Sequence, residues 1–244
     1  MKLSGHTILI TGGSSGIGFS LAKRFLQLEN KVIIVGRNEE KLAAAKSQLP
    51  TLITYVCDLS RTDERETMVH WLINHYPNLN ILVNNAGIQH NYTLLDDKNA
   101  VSKIYEEIEV NLITPLVLCT QVLPILSIQT EAAIINVSSG LGLSPKRSAP
   151  VYCSTKSGLH IFTKALRYQL EHTSIKVFEI IPPLVDTEMT RGRGKHKISA
   201  DRLVAEFIVN FKKNQFEVSI GKVKLLKMIQ RLWPSLADRL LKNS

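Results

Sequence analysis

Tyr152 and Lys156 stand four residues apart, and Ser139 precedes the tyrosine by thirteen positions. On a helix, residues four apart share a face, so this spacing sets an ammonium beside a phenol. A tyrosine ordinarily titrates near about 10. A neighbouring cation favours phenolate and pulls that value toward neutrality. Such a phenol donates a proton to a carbonyl oxygen as hydride adds at carbon, and accepts the alcohol proton in the reverse direction. Ser139 would hold the same oxygen by a hydrogen bond, as electrophilic support. Taken alone, Tyr-x-x-x-Lys is also an ordinary surface pair on a helix. Its chemical meaning depends on the elements that place it.

Those elements form an alternation. Short runs nearly continuous in Ile, Val and Leu occur at 7–11, 31–35, 52–56, 81–83, 132–137 and 175–180, and 218–220 may be counted as a seventh. Strands covered by helices on both faces have this composition. Helical patterns at 17–28, 38–48, 63–75 and 103–125 separate them. The repeated βα order predicts an α/β fold with a doubly wound, Rossmann-type parallel sheet. No linker or repeat divides the chain. Two segments break the rhythm: residues 189–200 (MTRGRGKHKISA) read as a basic, mobile loop, and 222–241 carry an apolar stripe interrupted by Pro234. The expected layout is one catalytic domain over 1–221 and an amphipathic helix–Pro–helix tail over 222–244.

The first run ends in Thr11-Gly12-Gly13-Ser14-Ser15-Gly16-Ile17-Gly18. A glycine-rich turn from strand to helix lets backbone approach a phosphate, with the helix N-terminal amides facing the anion. Gly12, Ser14, Ser15, Ile17 and Gly18 are therefore cofactor-binding candidates; a tight turn without ligand is the plain alternative. The second strand ends at Gly36-Arg37, where an acidic residue would bond a ribose 2′-hydroxyl. Arg37 instead suits a 2′-phosphate, held bidentately, which points to NADP(H) over NAD(H); a solvated arginine is the alternative. Asp58 and Leu59 follow the third strand, and Asn85, Ala86 and Gly87 follow the fourth, all at carboxyl ends where open sheets bind ligands. Asp58 either accepts from an adenine amine or caps the next helix. Lys156 would also bind the ribose hydroxyls, and a positive nicotinamide ring would join its ammonium in favouring the Tyr152 phenolate.

In combination these motifs resemble the short-chain dehydrogenase/reductase family, of the single-domain type, over residues 5–220. The matching features are Thr-Gly-x-x-x-Gly-x-Gly at 11–18, Asn-Asn-Ala-Gly at 84–87, Asn111 within Glu109-Val110-Asn111, and the Ser139, Tyr152 and Lys156 spacing. The resemblance implies a seven-stranded parallel sheet, a nicotinamide cofactor and a small carbonyl or alcohol substrate. It also implies that Asn111 holds a water linking Lys156 to solvent; read without the family, Asn111 is a helix-bend or packing residue. It implies a homodimer or homotetramer built partly on the long helices near 103–126 and 152–171. One departure stands out: Pro183 replaces the family's glycine after the sixth strand, reducing backbone freedom, while Val185 and Thr187 can still bracket the cofactor's carboxamide and phosphates. Ser15 occupies the family's second basic position, so Arg37 carries most of the 2′-phosphate argument. More narrowly, MKLSGHTILITGGSSGIG, GRNEEKL and Arg-Leu-Trp-Pro resemble the DltE-like oxidoreductases of Gram-positive D-alanylation operons.

Composition bounds the remaining classes. The three cysteines, Cys57, Cys119 and Cys153, have no C-x-x-C spacing, which argues against a disulfide framework or structural zinc. Cys153 beside Tyr152 is a reactive thiol or, more simply, a packing residue. No signal peptide opens the chain, and no run approaches the ~18 apolar residues of a membrane span, so a cytoplasmic protein is expected. Net charge is +9, of which +5 comes from the six Lys/Arg and one Asp of 221–244. Nucleic acid is not needed to explain it. The tail docks on its own domain, covers the site or a second subunit, or lies on an anionic membrane. Leu141, Gly142, Arg147, Tyr92 and parts of 189–200 are expected near the substrate. A non-catalytic nucleotide-binding sensor on the same fold is the competing reading.

Overall fold

The computed structural model describes residues 1–242; positions 243 and 244, the last of the expected tail, lie outside them. Seven parallel strands form one sheet: β1 (Thr7–Thr11), β2 (Lys31–Gly36), β3 (Ile53–Val56), β4 (Leu79–Asn84), β5 (Ala132–Val137), β6 (Ile175–Ile181) and the edge strand Glu217–Ser219. Their order is β3-β2-β1-β4-β5-β6 and then the edge strand. Sequential order reverses between β1 and β4, so the crevice that an open α/β sheet offers a ligand opens at the carboxyl ends of those two strands.

The apolar strand runs are explained by cover on both sides. One face carries Ile8, Ile10, Ile34, Val83 and Phe178 against α1 (Gly16–Gln27) and α7 (Ala200–Lys212), with α2 (Glu39–Gln48) alongside. Phe25, Phe178, Phe207 and Phe211 interlock there, with ring centroids 4.7–6.2 Å apart. The other face carries Leu9, Ile33, Leu82 and Ile134 against α3 (Thr62–His75), α5 (Thr114–Ser127) and α6 (Pro150–Gln169).

Three features depart from the expected layout. First, α4 (Ala100–Ile108), a π-helical turn at Glu109–Ile113 and α5 run as one helix. This Ala100–Ser127 helix is long and apolar enough to cross a membrane by length and composition, against the expectation that no such stretch exists, but half of its most apolar window is buried in the domain. Its polar residues are interspersed, so no unbroken apolar run reveals it. Second, the 189–200 segment is not a plain loop. β7 (Val185–Asp186) pairs in parallel with β8 (Ile198–Ser199), strands too short to show a period. Third, α7 follows at once and supplies much of one core face.

The tail folds as α8 (Val223–Leu232) and α9 (Pro234–Leu241), with Pro234 opening the second helix. It lies on the 140–147 segment. Gln230 donates to the Leu143 carbonyl at 2.7 Å, Ser144 to Asp238 at 2.6 Å, and the Arg147 amide to the Lys242 carbonyl at 3.1 Å. Leu225, Met228, Leu232 and Trp233 remain exposed.

Candidate active site

The strand ends are tied together before any ligand enters. Thr11 Oγ1 accepts from the amides of Asn85 and Ala86, each at 3.0 Å, and the Asn85 amide group donates to the carbonyls of Thr11 and Gly12. Asn84 reaches Asn136 Oδ1 at 2.8 Å, and Asn136 in turn donates to Thr163 on α6. The Asn-Asn-Ala-Gly run therefore locks β4 to β1 and β5. Asn136 is satisfied at both ends of its amide, which fixes this geometry because a buried amide left alone carries the cost of desolvation, as Asn84 Oδ1 does here.

Against this frame the glycine turn closes on itself. A methyl group at Gly18 would lie 2.4 Å from the Gly12 carbonyl oxygen, and Gly12 itself has φ +63°. Ser15 precedes α1 and makes no capping bond to it, so the first amides of that helix are available to an anion. A cleft of about 640 Å³ runs from this turn past Arg37, Asp58 and Leu59, along Asn85–Ile88, to Tyr152, Lys156, Thr187 and Arg193. A close-packed glycine turn, an uncapped helix start and a long cleft fit a dinucleotide.

Most expected contact residues line this cleft: Gly12, Ser14, Ser15, Ile17, Arg37, Asp58, Leu59, Asn85, Ala86, Gly87, Tyr152, Lys156 and Thr187. Gly18 and Val185 do not. Gly18 is the packing residue beneath the turn, and the buried Val185 gives its carbonyl to Thr190 Oγ1 at 2.5 Å. Asp58 spends Oδ1 on the amide and hydroxyl of Ser60, a local turn rather than a cap of α3, whose cap position is Arg61. Lys41, near Arg37, is paired across the cleft with Glu188 at 2.6 Å. Pro183 shows no positive φ and rests 3.8 Å from the position a Cβ at Gly221 would take. The backbone there needs no glycine.

At the other end of the cleft, Tyr152 and Lys156 share the buried face of α6. Lys156 Nζ lies 5.9 Å from the Tyr152 ring centroid and donates to the Val137 carbonyl at 2.9 Å. Burial lowers its pKa to about 8, with Glu179 acting in the opposite direction. For Tyr152 the chain's own groups act differently from a bound cofactor's positive ring. Burial pushes its pKa up to about 12, while a hydrogen bond with Ser139 and the charge of Arg193 pull it down. Desolvation of the phenolate outweighs the favourable charges, and the phenol is held as the protonated acid. Ser139 also caps a short turn at Gly140–Gly142 by accepting from the Leu141 amide.

Asn111 lies in the π-helical turn, the kind of local widening often found at functional sites. Its carboxamide forms a pair with the backbone of Ile88: Ile88 N–H donates to Oδ1 and Nδ2 donates to the Ile88 carbonyl, both at 2.8 Å. Asn111 thus holds the cleft wall. A Cβ at Gly87 would stand 3.2 Å from Asn111 Oδ1 and 3.6 Å from Lys156 Nζ, so this glycine leaves a gap between the two side chains.

Of the residues expected near the substrate, Leu141, Gly142 and Arg147 are not on the cleft. Gly142 is pressed against the α6 backbone at Lys156, and Tyr92 is buried with its hydroxyl on Glu107. Cys153 is a packing residue whose sulfur accepts from the Lys146 amide; burial raises its pKa. Of the 189–200 segment, also expected near the substrate, Met189 and Arg193 line the cleft; sequence reasoning missed Gln89 and His90 on the wall, and Arg65 behind it. Arg65 is buried on α3 and donates to the Leu59 carbonyl and to Glu109 at the start of the π turn. No periodic pattern marks these residues. A single arginine between two glycines in a basic stretch was the only cue to Arg193.

The sequence model for the short chain dehydrogenases matches residues 6–198. The chain belongs to that family. This dehydrogenase is similar to the "Uncharacterized oxidoreductase DltE" of Bacillus subtilis (strain 168), at 43% identity over 93% of this chain and 92% of that one. Among solved structures, a short chain dehydrogenase from Burkholderia cenocepacia in complex with NADP superposes with TM-score 0.87 at 23% identity, covering 99% and 100% of the two chains. A Burkholderia phymatum relative in complex with NAD gives TM-score 0.85 at 19% identity, covering 95% and 96%. The dehydrogenase is an oxidoreductase acting on CH–OH or C=O groups. Replacing Asn111 with Leu strands the Ile88 N–H and carbonyl. Denaturant unfolding of Asn111→Leu should show a loss of about 1–3 kcal/mol for each group left unpaired; unchanged stability would remove Asn111 as the brace of this wall.

Proposed function

We propose that this dehydrogenase reduces a small carbonyl compound with NADPH, using Tyr152 as proton donor. The observation that carries the reading is the buried Tyr152–Lys156 face opening on a cleft that begins at the glycine turn. When bound, the nicotinamide cofactor supplies the hydride for reduction or takes it in the reverse direction. Tyr152 Oη gives its proton to the carbonyl oxygen, and its high pKa keeps that proton in place until the oxygen becomes basic. Ser139 steadies the same oxygen. Lys156 stabilises the phenolate left behind, and its ammonium would also hold the cofactor ribose. Asn111 positions the wall through which a water re-supplies Lys156.

Gly12, Ser14, Ser15, Ile17 and Gly18 shape the phosphate end. Asp58 would give one carboxylate oxygen to the adenine between Leu59 and Ala86, and Thr187 would hold the carboxamide end with Val185 buried behind it. NADPH preference rests on Arg37, since Lys41 is already paired with Glu188. We further take residues 1–221 as the catalytic domain and 222–244 as a tail covering it. Tyr105, Ile113, Ile161 and Tyr168 stand exposed on α4–α6, which supports a homo-oligomer built on those helices. The apolar, basic outer face of α8 would serve a peripheral membrane contact as a second role. A cytoplasmic site of action follows from the NADPH reading.

Two outcomes test this reading. Across a panel of aldehydes and ketones, Tyr152→Phe should lower NADPH oxidation by at least about 100-fold, and equal turnover by the variant would dismiss the phenol as the acid. Arg37→Asp should weaken NADPH binding by roughly 10- to 100-fold and NADH binding much less, as read by fluorescence titration. An equal loss for both cofactors would contradict the assignment of Arg37.

A further inference from the structure

The Tyr152 end of the cleft contains a cation, Arg193, whose side chain has one hydrogen bond and no counter-ion among the described residues. Arg193 sits between Gly192 and Gly194, both left-handed, with φ +73° and +58°, and His196 two positions on is left-handed as well. A Cβ at Gly194 would come within 2.4 Å of Leu184 Cδ2, and the positive φ favours glycine there. In this turn the Arg193 side chain lines the cleft. Nη2 donates to the Gln89 carbonyl at 3.2 Å on the opposite wall. Nη1 is enclosed and has no acceptor. Among the described residues Arg193 makes no ion pair. Glu107 is fully buried behind His90, but its two oxygens are occupied by the His90 amide and the Tyr92 hydroxyl.

Arg193 is half-buried, and its enclosed Nη1 is a charged donor with neither access to solvent nor an acceptor, a position where proteins ordinarily place a carboxylate. Here the fold withholds one while holding the cation on the same cleft as Tyr152, close enough for its charge to be felt at the phenol. We propose that Arg193 is the anion-recognition residue of this dehydrogenase, and that its substrates are oxo acids whose carboxylate rests against the guanidinium while the carbonyl faces Tyr152. The proposal rests on the carbonyl-reductase reading above and adds the substrate class. A carboxylate supplies the acceptor that Nη1 lacks, and the planar guanidinium favours a planar two-oxygen anion. Recognition at one end and proton donation at the other would also fix which face of the carbonyl is presented.

The test uses 2-, 3-, 4- and 5-oxo carboxylates, each with its primary amide, on the full chain and on Arg193→Gln. Binding is read first, with NADP⁺ present so that no turnover occurs, as ligand-induced shifts in unfolding temperature converted to dissociation constants. Turnover with NADPH is read second. For the acid of best length, the wild type should bind the carboxylate roughly 10- to 100-fold more tightly than its amide, and Arg193→Gln should bring that ratio close to one. Arg193→Lys should recover part of it, as a cation without the planar fork. If wild type treats acid and amide alike, or Arg193→Gln weakens both equally, or the variant loses NADP⁺ affinity by the same factor, the proposal is overturned. Failure of the reductase reading looks different: no oxo acid is turned over, while the binding ratio still decides the role of Arg193.

Discussion

The buried ammonium of Lys156, hydrogen-bonded to the carbonyl that ends β5, is the constraint on which the site depends. A charge in that position is unfavourable unless the surroundings are rigid enough to keep its acceptor in place. The structure supplies rigidity from three directions. β5 is central in the sheet, α6 is wedged between the sheet and the π-helical turn, and Glu179 adds a negative charge from β6. The charge has a cost that depends on pH. The folded pKa near 8 lies below the ordinary 10.5, so between those values the unfolded chain binds more protons. Stability contributed by this residue therefore rises as pH climbs from about 8 to 10.5 and is absent below that window.

Tyr152 follows from the same burial. Without water, its phenolate is penalised more than the flanking Arg193 and Ser139 relieve it. A phenol that stays protonated suits donation to a carbonyl, whereas alcohol oxidation needs a further positive charge beside it. The amide network of Asn84, Asn85 and Asn136 has a complementary task. It keeps the ends of β1, β4 and β5 at fixed spacing, so that the glycine turn and the phenol stay a constant distance apart.

Much of this was legible in the residues. The uninterrupted apolar runs located the strands because both sheet faces are covered, and the glycine turn, Tyr152 and Lys156 were placed by local spacing. What stayed hidden depends on contacts far apart in sequence. β7 and β8 are two residues each and have no period. Helix α7 begins where the expected loop ends, and its apolar face, Leu203, Val204, Phe207, Ile208 and Phe211, is not among the helical patterns read from the sequence. Asn111 looked like a bend or a relay, and only the structure shows its carboxamide holding Ile88. Spacing shows the cation beside Tyr152 but not the depth of burial, which in the chain alone pushes the phenol up. Arg193 and Arg65 matter through what surrounds them, which no single-residue pattern records.

The most direct test of the account is the ionisation of Lys156 itself. Protein labelled with ¹⁵N-lysine, with Lys156→Met to assign the signal, allows its Nζ resonance to be followed by NMR as pH is varied. The account predicts a titration midpoint near 8. A midpoint at the ordinary lysine value of 10.5 would mean that the ammonium is solvated and the buried Tyr152–Lys156 face does not exist as described.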